Sequence, residues 1–297
     1  MILNATALTN LGIGFKTTFQ RGLGMAAPQY LSVATVVPST TGKEEYGWLG
    51  KMKGMREWLG DRVLNSIANH KYSIDNRDWE DTIEVDRNHI QDDNLGQYSL
   101  LFQEMGEATA AHPNQLVFGL LKQGFTTPCY DGQYYFDTDH PVLDENGVAQ
   151  SVSNTGGGSG TPWFLMDASR TVKPIIFQER QKPVFVSRDD LRDENVFMRK
   201  KFLYGVDARY NAGFAYWQFA YGSKQTLDKA AFATGFAAIE NMKGDFGRPL
   251  GLKPTKLVVP PSLREAALEI LNAERDAAGA TNVWKGQVEL EVSPWLA

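Results

Sequence analysis

From Asp93 to Phe125 the chain reads DNLGQYSLLFQEMGEATAAHPNQLVFGLLKQGF, and its apolar residues recur at three- and four-residue spacings. Tyr98, Leu101, Phe102, Met105 and Ala108 therefore share one helix face. Pro113 lacks a backbone donor and disfavours a helical His112, so a break or kink is expected there before Leu116, Val117, Leu120 and Leu121 resume the stripe. Gly124 supplies the stop. This long segment is the element against which the rest of the chain is read.

Upstream, Leu8, Leu11, Phe15 and Phe19 mark a short amphipathic helix, with Asn4 or Thr6 as its cap and Gly22 and Gly24 at its end. Such a helix is marginal unless its face docks on something. A β-rich run around Val33, Val36 and Val37 follows, stopped by Pro38. With few apolar residues for a core of its own, this region is expected to reach out from the body as an arm. Between Trp48 and Ile90 apolar and charged residues alternate, and DNRD at Asp75 to Asp78 has turn chemistry between Tyr72–Ile74 and Trp79–Val85. This predicts a two-stranded ribbon, marginal in isolation, that rests on another surface such as a second copy of the chain.

Beyond the long helix, turn residues cut the sequence into short apolar pieces. Gly156 to Gly160 reads as a mobile Gly/Ser loop. WFLMD, KPIIFQER, KPVFVSRD and the aromatic run KKFLYGVDARYNAGFAYWQFAYGSK are expected to be extended. LDKAAFATGFAAIENMK predicts a helix on Phe232, Phe236 and Ile239, starting near Asp228 and ending before Gly244. KLVVPP is a compact buried strand. SLREAALEILNAERDAAG is a helix with Ser262 and Glu265 at capping-box spacing, carrying Leu263, Ala267, Ile270 and Leu271 on its face. QVELEVS alternates as a last strand through Val288, Leu290 and Val292. Helices mixed irregularly with mostly antiparallel-looking strands give an α+β fold class.

The 297 residues, 42% hydrophobic, with a mean hydropathy of -0.34, suffice for one large domain or two small ones. A net charge of -5 and a pI near 5.5 argue against a protein built to grip phosphate backbones. The single cysteine, Cys129, excludes an intrachain disulfide framework and a thiolate-based zinc site, fits a reducing compartment, and is read as a buried inert thiol. No apolar run is long enough to cross a bilayer, and the N-terminus lacks the features of a signal peptide, so a cytoplasmic protein is expected. Seven tryptophans and eleven tyrosines hint at self-association.

Catalytic motifs are scarce. NTGGGSGTP lacks the lysine and Ser/Thr of a phosphate-binding loop. There is no G-x-S-x-G nucleophile elbow and no H-E-x-x-H, and His70, His89, His112 and His140 are scattered. Asp131, Asp137, Asp139 and His140 in CYDGQYYFDTDHP form the one constellation with ligand chemistry. Carboxylates and an imidazole at this spacing suit a divalent ion or acid/base work, and they equally suit turns in which side chains cap backbone amides. The mixed-charge run SRDDLRDENVFMRKK reads as a solvated face or an intersubunit contact.

PSTTGKEEYGWLG, MREWLGDR, HPNQLVFGLLKQGF, CYDGQYYFDTDHPV, YGVDARYNAGFAYWQFAYGS and RPLGLKPTKLVVPPSLREAALEIL, in this order over nearly the whole chain, closely resemble the major head subunit family of Mu-like phages and prophages. That resemblance implies the HK97-like fold of tailed-phage major capsid proteins and a structural role in the icosahedral shell that encloses packaged phage DNA. It further implies an N-terminal arm over residues 1–42 and an E-loop region over 43–92, with its extended β-ribbon around Tyr72 to Val85. A peripheral domain over 93–225 would contain the spine helix, Gln97 to Gln123, and part of the axial domain. The axial domain and closing strand would occupy 226–297, including Lys256 to Pro261 and the helix from Ser262. The implied partners are copies of the chain in hexamers and pentamers, with scaffold, portal and decoration proteins. DNA would be held without sequence-specific contacts, and no membrane, cofactor, metal or catalytic residue is expected. An encapsulin-like compartment subunit and a metal-dependent hydrolase using Asp137, Asp139 and His140 are the alternatives.

An arm and a ribbon with little apolar area of their own become stable when laid across neighbouring subunits, and many modest contacts then add through multivalency. On this reading Trp48, Trp58 and Trp79 become buried on assembly.

Overall fold

A computed structural model describes residues 4–50, 72–92, 96–275 and 279–297. The first helix, α1 (Ala5–Leu23), starts where the Asn4 side chain accepts the Ala7 N–H at 2.8 Å, which satisfies one of the open donors of the first turn. Strands β1 (Ala34–Pro38), β2 (Lys43–Glu45), β3 (Ser73–Asp75) and β4 (Arg77–Asp86) precede a short helix, α2 (Arg87–Gln91), and the long helix α3 (Gly96–Gln123). A hairpin of β5 (His140–Leu143) and β6 (Ala149–Val152) follows, then β7 (Thr155–Gly158), β8 (Trp163–Met166) and β9 (Ile175–Arg188). The six-residue helix α4 (Glu194–Arg199) connects β9 to β10 (Lys201–Phe214). The chain continues through β11 (Ala220–Lys224), α5 (Lys229–Glu240), β12 (Lys256–Val259), α6 (Arg264–Leu271) and β13 (Glu289–Val292).

Two sheets organise these elements. One has the order β1-β9-β10-β4, the other β13-β12-β8-β11-β7. Antiparallel pairs form the interior of each, and the edge strands β1, β7 and β13 join in parallel. Every residue of β8 is buried, as its uninterrupted apolar run between β12 and β11 requires. The larger hydrophobic cluster joins the second half of α3 to the five-stranded sheet, α5 and α6. A smaller one gathers Phe15 and Phe19 of α1, Phe102 and Met105 of α3, Val85 of β4 and Tyr204 of β10.

Several expectations are corrected by this arrangement. Tyr72–Ile74 and Trp79–Val85 form no ribbon with each other: β3 pairs with β2, and β4 pairs along its whole length with β10. The DNRD stretch is a change of sheet, because Trp79 hydrogen-bonds through its indole to the Tyr210 carbonyl at 3.0 Å and anchors β4 on β10. The neighbouring β2–β3 pair is held by buried Gln178, which accepts from the Tyr46 hydroxyl and donates to the Ile74 carbonyl. Hydrogen bonds from the Thr40 amide, the Ser39 and Thr41 hydroxyls and the Thr41 amide hold the Glu44 carboxyl down to about 2. Trp58 and the MREWLGDR motif lie outside the described residues.

The segment expected to reach outward as an arm lies on its own body. The α1 helix packs along α3, and β1 extends the four-stranded sheet beside β9. At the helix crossing, a Cβ on Gly22 would lie 2.0 Å from the Gln103 carbonyl oxygen, and one on Gly106 would lie 2.2 Å from that of Phe19. Only glycine permits this approach.

Pro113 does not break α3, which runs as one 28-residue helix. The lost hydrogen bond is offset by packing: Pro113 is buried, and the adjacent Asn114 accepts the Tyr30 N–H and donates to the Ala27 carbonyl. Gly156 to Gly158, expected in a mobile loop, belong to β7. There a Cβ at Gly156 would meet the Ser223 and Tyr221 side chains within 2.7 Å, and Gly157 and Gly158 have φ of 64° and 90°. Glycine serves here for close approach and left-handed backbone. The Ser262 capping box is also absent. Pro261–Leu263 form a 3-10 turn, α6 begins at Arg264 without a side-chain cap, and it ends at Leu271. The buried Asn282 amide donates to the Ile270 and Ala273 carbonyls at that end, which stops the helix early.

Candidate functional site

The loop between α3 and β5 brings two of the four expected ligand residues together. His140 is fully buried at the start of β5, and its Nδ1 lies 2.7 Å from Asp131 Oδ2. The His140 ring stacks on Trp217 with centroids 3.9 Å apart and planes 9° from parallel. Cys129, read from the sequence as a separate inert thiol, joins them: its Sγ–H donates to Asp131 Oδ1 at 3.1 Å. The Gln133 N–H adds a further bond to the same oxygen. Asp137 and Asp139 do not converge. Asp137 accepts the Tyr134 and Thr138 amides, while exposed Asp139 offers its backbone carbonyl to Gln133.

Cys129, Asp131 and His140 have the donor types of a metal centre, and their ligand atoms lie within 4.8 Å of one another. Their separations, however, are those of direct hydrogen bonds. Burial pushes the Cys129 thiol well above its ordinary value, and the nearby Asp131 carboxylate adds to this, so the thiol stays protonated. Burial works against ionisation of Asp131, yet hydrogen bonds from His140 and Cys129 prevail and hold its carboxyl below the usual range. This is a buried polar knot that fixes a loop, held through His140 Nδ1, while His140 Nε2 has no hydrogen-bond partner. Asn154 reinforces it from the other side: its Oδ1 accepts the Asp137 N–H, and its Nδ2 lies within 3.2 Å of the Tyr135, Trp217 and Ala220 carbonyls. Nothing in the spacing of a lone Asn in SVSNTGG marks that role.

A second candidate is a cavity of about 330 Å³ between α3 and the four-stranded sheet, lined by Trp79, Ala108, His112, Ala208, Tyr210 and Trp295. His112 Nδ1 lies 2.9 Å from the Tyr210 hydroxyl, and the Trp79 ring meets the imidazole edge-on at 4.4 Å. Burial lowers the His112 imidazole and raises the Tyr210 phenol. Glu80 and Asp81 also line the cavity beside these aromatic and small side chains, and the Glu80 carboxylate accepts the Thr82 hydroxyl at 2.9 Å.

The sequence model of the Mu-like prophage major head subunit gpT family matches residues 8–296. The chain belongs to that family. It is 43% identical to the major capsid protein of Escherichia phage Mu over 305 aligned positions, covering 100% of both chains. Among solved structures it is similar to a chain of the bacteriophage JBD30 procapsid, with a TM-score of 0.87 and 45% identity over 99% of this chain and 100% of that one. A JBD30 capsid decorated with minor capsid protein trimers gives a TM-score of 0.79 and 34% identity, covering 94% of each chain.

The two sheets, the long α3 and the peripheral α1 are thus an HK97-like capsid fold. As a major head subunit, the protein is a structural component of the phage shell, and its contacts there are made by its surfaces. Residue roles at those surfaces are not legible from motifs, because a contact between copies needs shape and apolar area and no fixed set of reactive groups.

Proposed function

We propose that this chain is the repeated wall unit of a phage head, assembling with its own copies as hexamers and pentamers in the host cytoplasm, and that it performs no chemistry. The match of fold and sequence over 99% of the chain to a procapsid subunit carries this reading. We assign α3 and the four-stranded sheet to the peripheral domain, and the five-stranded sheet with α5 and α6 to the axial domain near the capsomer centre. Residues 1–42 would be the arm and 43–92 the E-loop region, each lending one strand, β1 and β4, to the four-stranded sheet; both would gain partners in the shell beyond the contacts each makes within its own chain.

Partners of three further kinds fit this role: a scaffold during assembly, a portal at one vertex, and a decoration protein of the minor capsid kind on the outer surface. The net charge of -5 suits a container wall, since strong phosphate binding would oppose packing and release of DNA.

The test is assembly of the purified chain, alone and with a co-expressed scaffold, followed by electron microscopy and light scattering. Closed shells or capsomers are expected. A compact monomer under every condition would sink the reading. A chelator should leave particle yield and melting unchanged, and loss of either on chelation would revive a metal role for Cys129, Asp131 and His140.

A further inference from the structure

The most exposed large apolar side chains that are neighbours in sequence sit on α4, at the turn between the two long strands β9 and β10. Val196 points inward and is 2% exposed, whereas Phe197 is 83% and Met198 68% exposed. Leu191, just before the helix, is also exposed. This tip is not a loose loop. The Asp193 side chain caps the helix by accepting the Asn195 N–H at 2.9 Å and is clamped by Arg188, whose Nη2 lies 2.8 Å away. At the other end Lys200 adopts left-handed backbone with φ 58°, and its carbonyl accepts the Arg87 N–H at 2.9 Å. An aromatic and a thioether are therefore held outward on a preorganised support, the arrangement found at the centre of binding surfaces.

We infer that the α4 tip is a contact between copies of this chain, with Phe197 and Met198 at its centre. The inference rests on the shell-forming reading and adds to it the surface and the residues. Charge selects the occupant. On the N-terminal side of the apolar pair Asp189, Asp190, Asp193 and Glu194 outnumber Arg188 and Arg192, Arg188 being paired with Asp193, and on the C-terminal side stand Arg199, Lys200 and Lys201, the last paired with Glu84 and Asp86. A feature split this way is complementary to itself: a rotated second copy sets its basic side against the acidic side of the first, and the two apolar pairs cover each other. A partner of one predominant charge sign would match only half of it. Within one chain, by contrast, the inward side of α4 is already satisfied by Val196 in the smaller cluster.

The experiment follows one thiol. The sole native cysteine, Cys129, is buried and its thiol is held protonated, so a Met198→Cys variant reacts with maleimide at position 198. We expect labelling to be roughly tenfold slower in assembled shells than in dispersed subunits, as closure of a well-packed contact excludes the reagent. Equal rates in both would overturn the inference while leaving the shell reading intact. So would protection that begins only when a decoration protein is added, since the tip would then serve that partner.

Independently, Phe197→Asp should melt like the parent yet lose closed shells by about tenfold or more, the solvent-exposed site being neutral for folding. Normal shell yield from this variant contradicts the inference. Glu194→Lys and Arg199→Glu should each lower the yield, and the double variant, which exchanges the two charge signs, should restore it. Failure of the double variant to recover removes the self-complementary arrangement. If the unmodified chain assembles under no condition, the shell reading fails first, and this contact with it.

Discussion

The α1–α3 crossing and the α4 tip both border the smaller hydrophobic cluster, and both are helical with apolar residues, yet they treat that surface oppositely. At the crossing, Phe15 stacks on Phe102 at 4.3 Å and meets Tyr204 edge-on at 5.1 Å, and glycines let the two backbones touch. At the tip, one side chain enters the cluster and the next two face solvent. The crossing spends its apolar area on the stability of one subunit. The tip leaves its area available to another. A subunit that must fold alone before joining a shell needs both kinds of region, and an amphipathic pattern does not distinguish them.

Substitutions can break or sharpen this contrast. Phe15→Ala should destabilise the isolated subunit by about 3–5 kcal/mol in denaturant melts, the usual range for a buried aromatic reduced to alanine, whereas Phe197→Ala should fall within about 0.5 kcal/mol of the parent. Equal losses from the two would erase the distinction. Gly106→Ala should cost about 1–3 kcal/mol because its Cβ meets backbone that side-chain rearrangement cannot clear. On the open face of α1, where a Cβ at Gly14 meets nothing within 4 Å, Gly14→Ala should instead stabilise by about 0.5–1 kcal/mol.

Outside the smaller cluster, Asp131→Asn should cost about 1–3 kcal/mol by disturbing the bonds to buried His140 and Cys129. It should also change the acid limb of the stability profile. The folded carboxyl is held below its unfolded value, so its contribution is present above that value and is lost as pH falls through the folded one. A parent and variant with the same slope below about pH 4, the unfolded carboxylate range, would show that the pair carries no linkage. A smaller effect than at Phe15 is expected at the start of α1, where Asn4→Ala removes a cap worth about 1 kcal/mol. A wild-type-like melt there would mean that docking on α3 alone fixes the helix end.

Element identity was largely legible. Periodicity located α1, α3 and α5; of the two candidate caps of α1 Asn4 is the one used, and Asp228, expected near the start of α5, caps it. The candidate site was half legible: Asp131 and His140 do meet, but Cys129 and Asn154 enter from positions that spacing could not connect to them. Where the reading failed, a local rule was outweighed by a distant contact. Pro113 stays helical because of Tyr30 and Ala27, Gly156 is in a strand because of Tyr221 and Ser223, and Trp79 anchors β4 on β10 rather than on its neighbour in sequence, β3.

By itself, then, the sequence determined the α+β class, the long helix, the family and the want of catalytic motifs, since these depend on periodicity and residue type within short windows or on extended likeness. Only the tertiary structure decided that the N-terminal helix lies on its own body, that β4 closes a sheet instead of forming a ribbon, and that Phe197 and Met198 remain uncovered. Those outcomes depend on which distant surfaces fit one another, and hydrophobic attraction is non-directional: it states that an apolar face will be covered without stating by what.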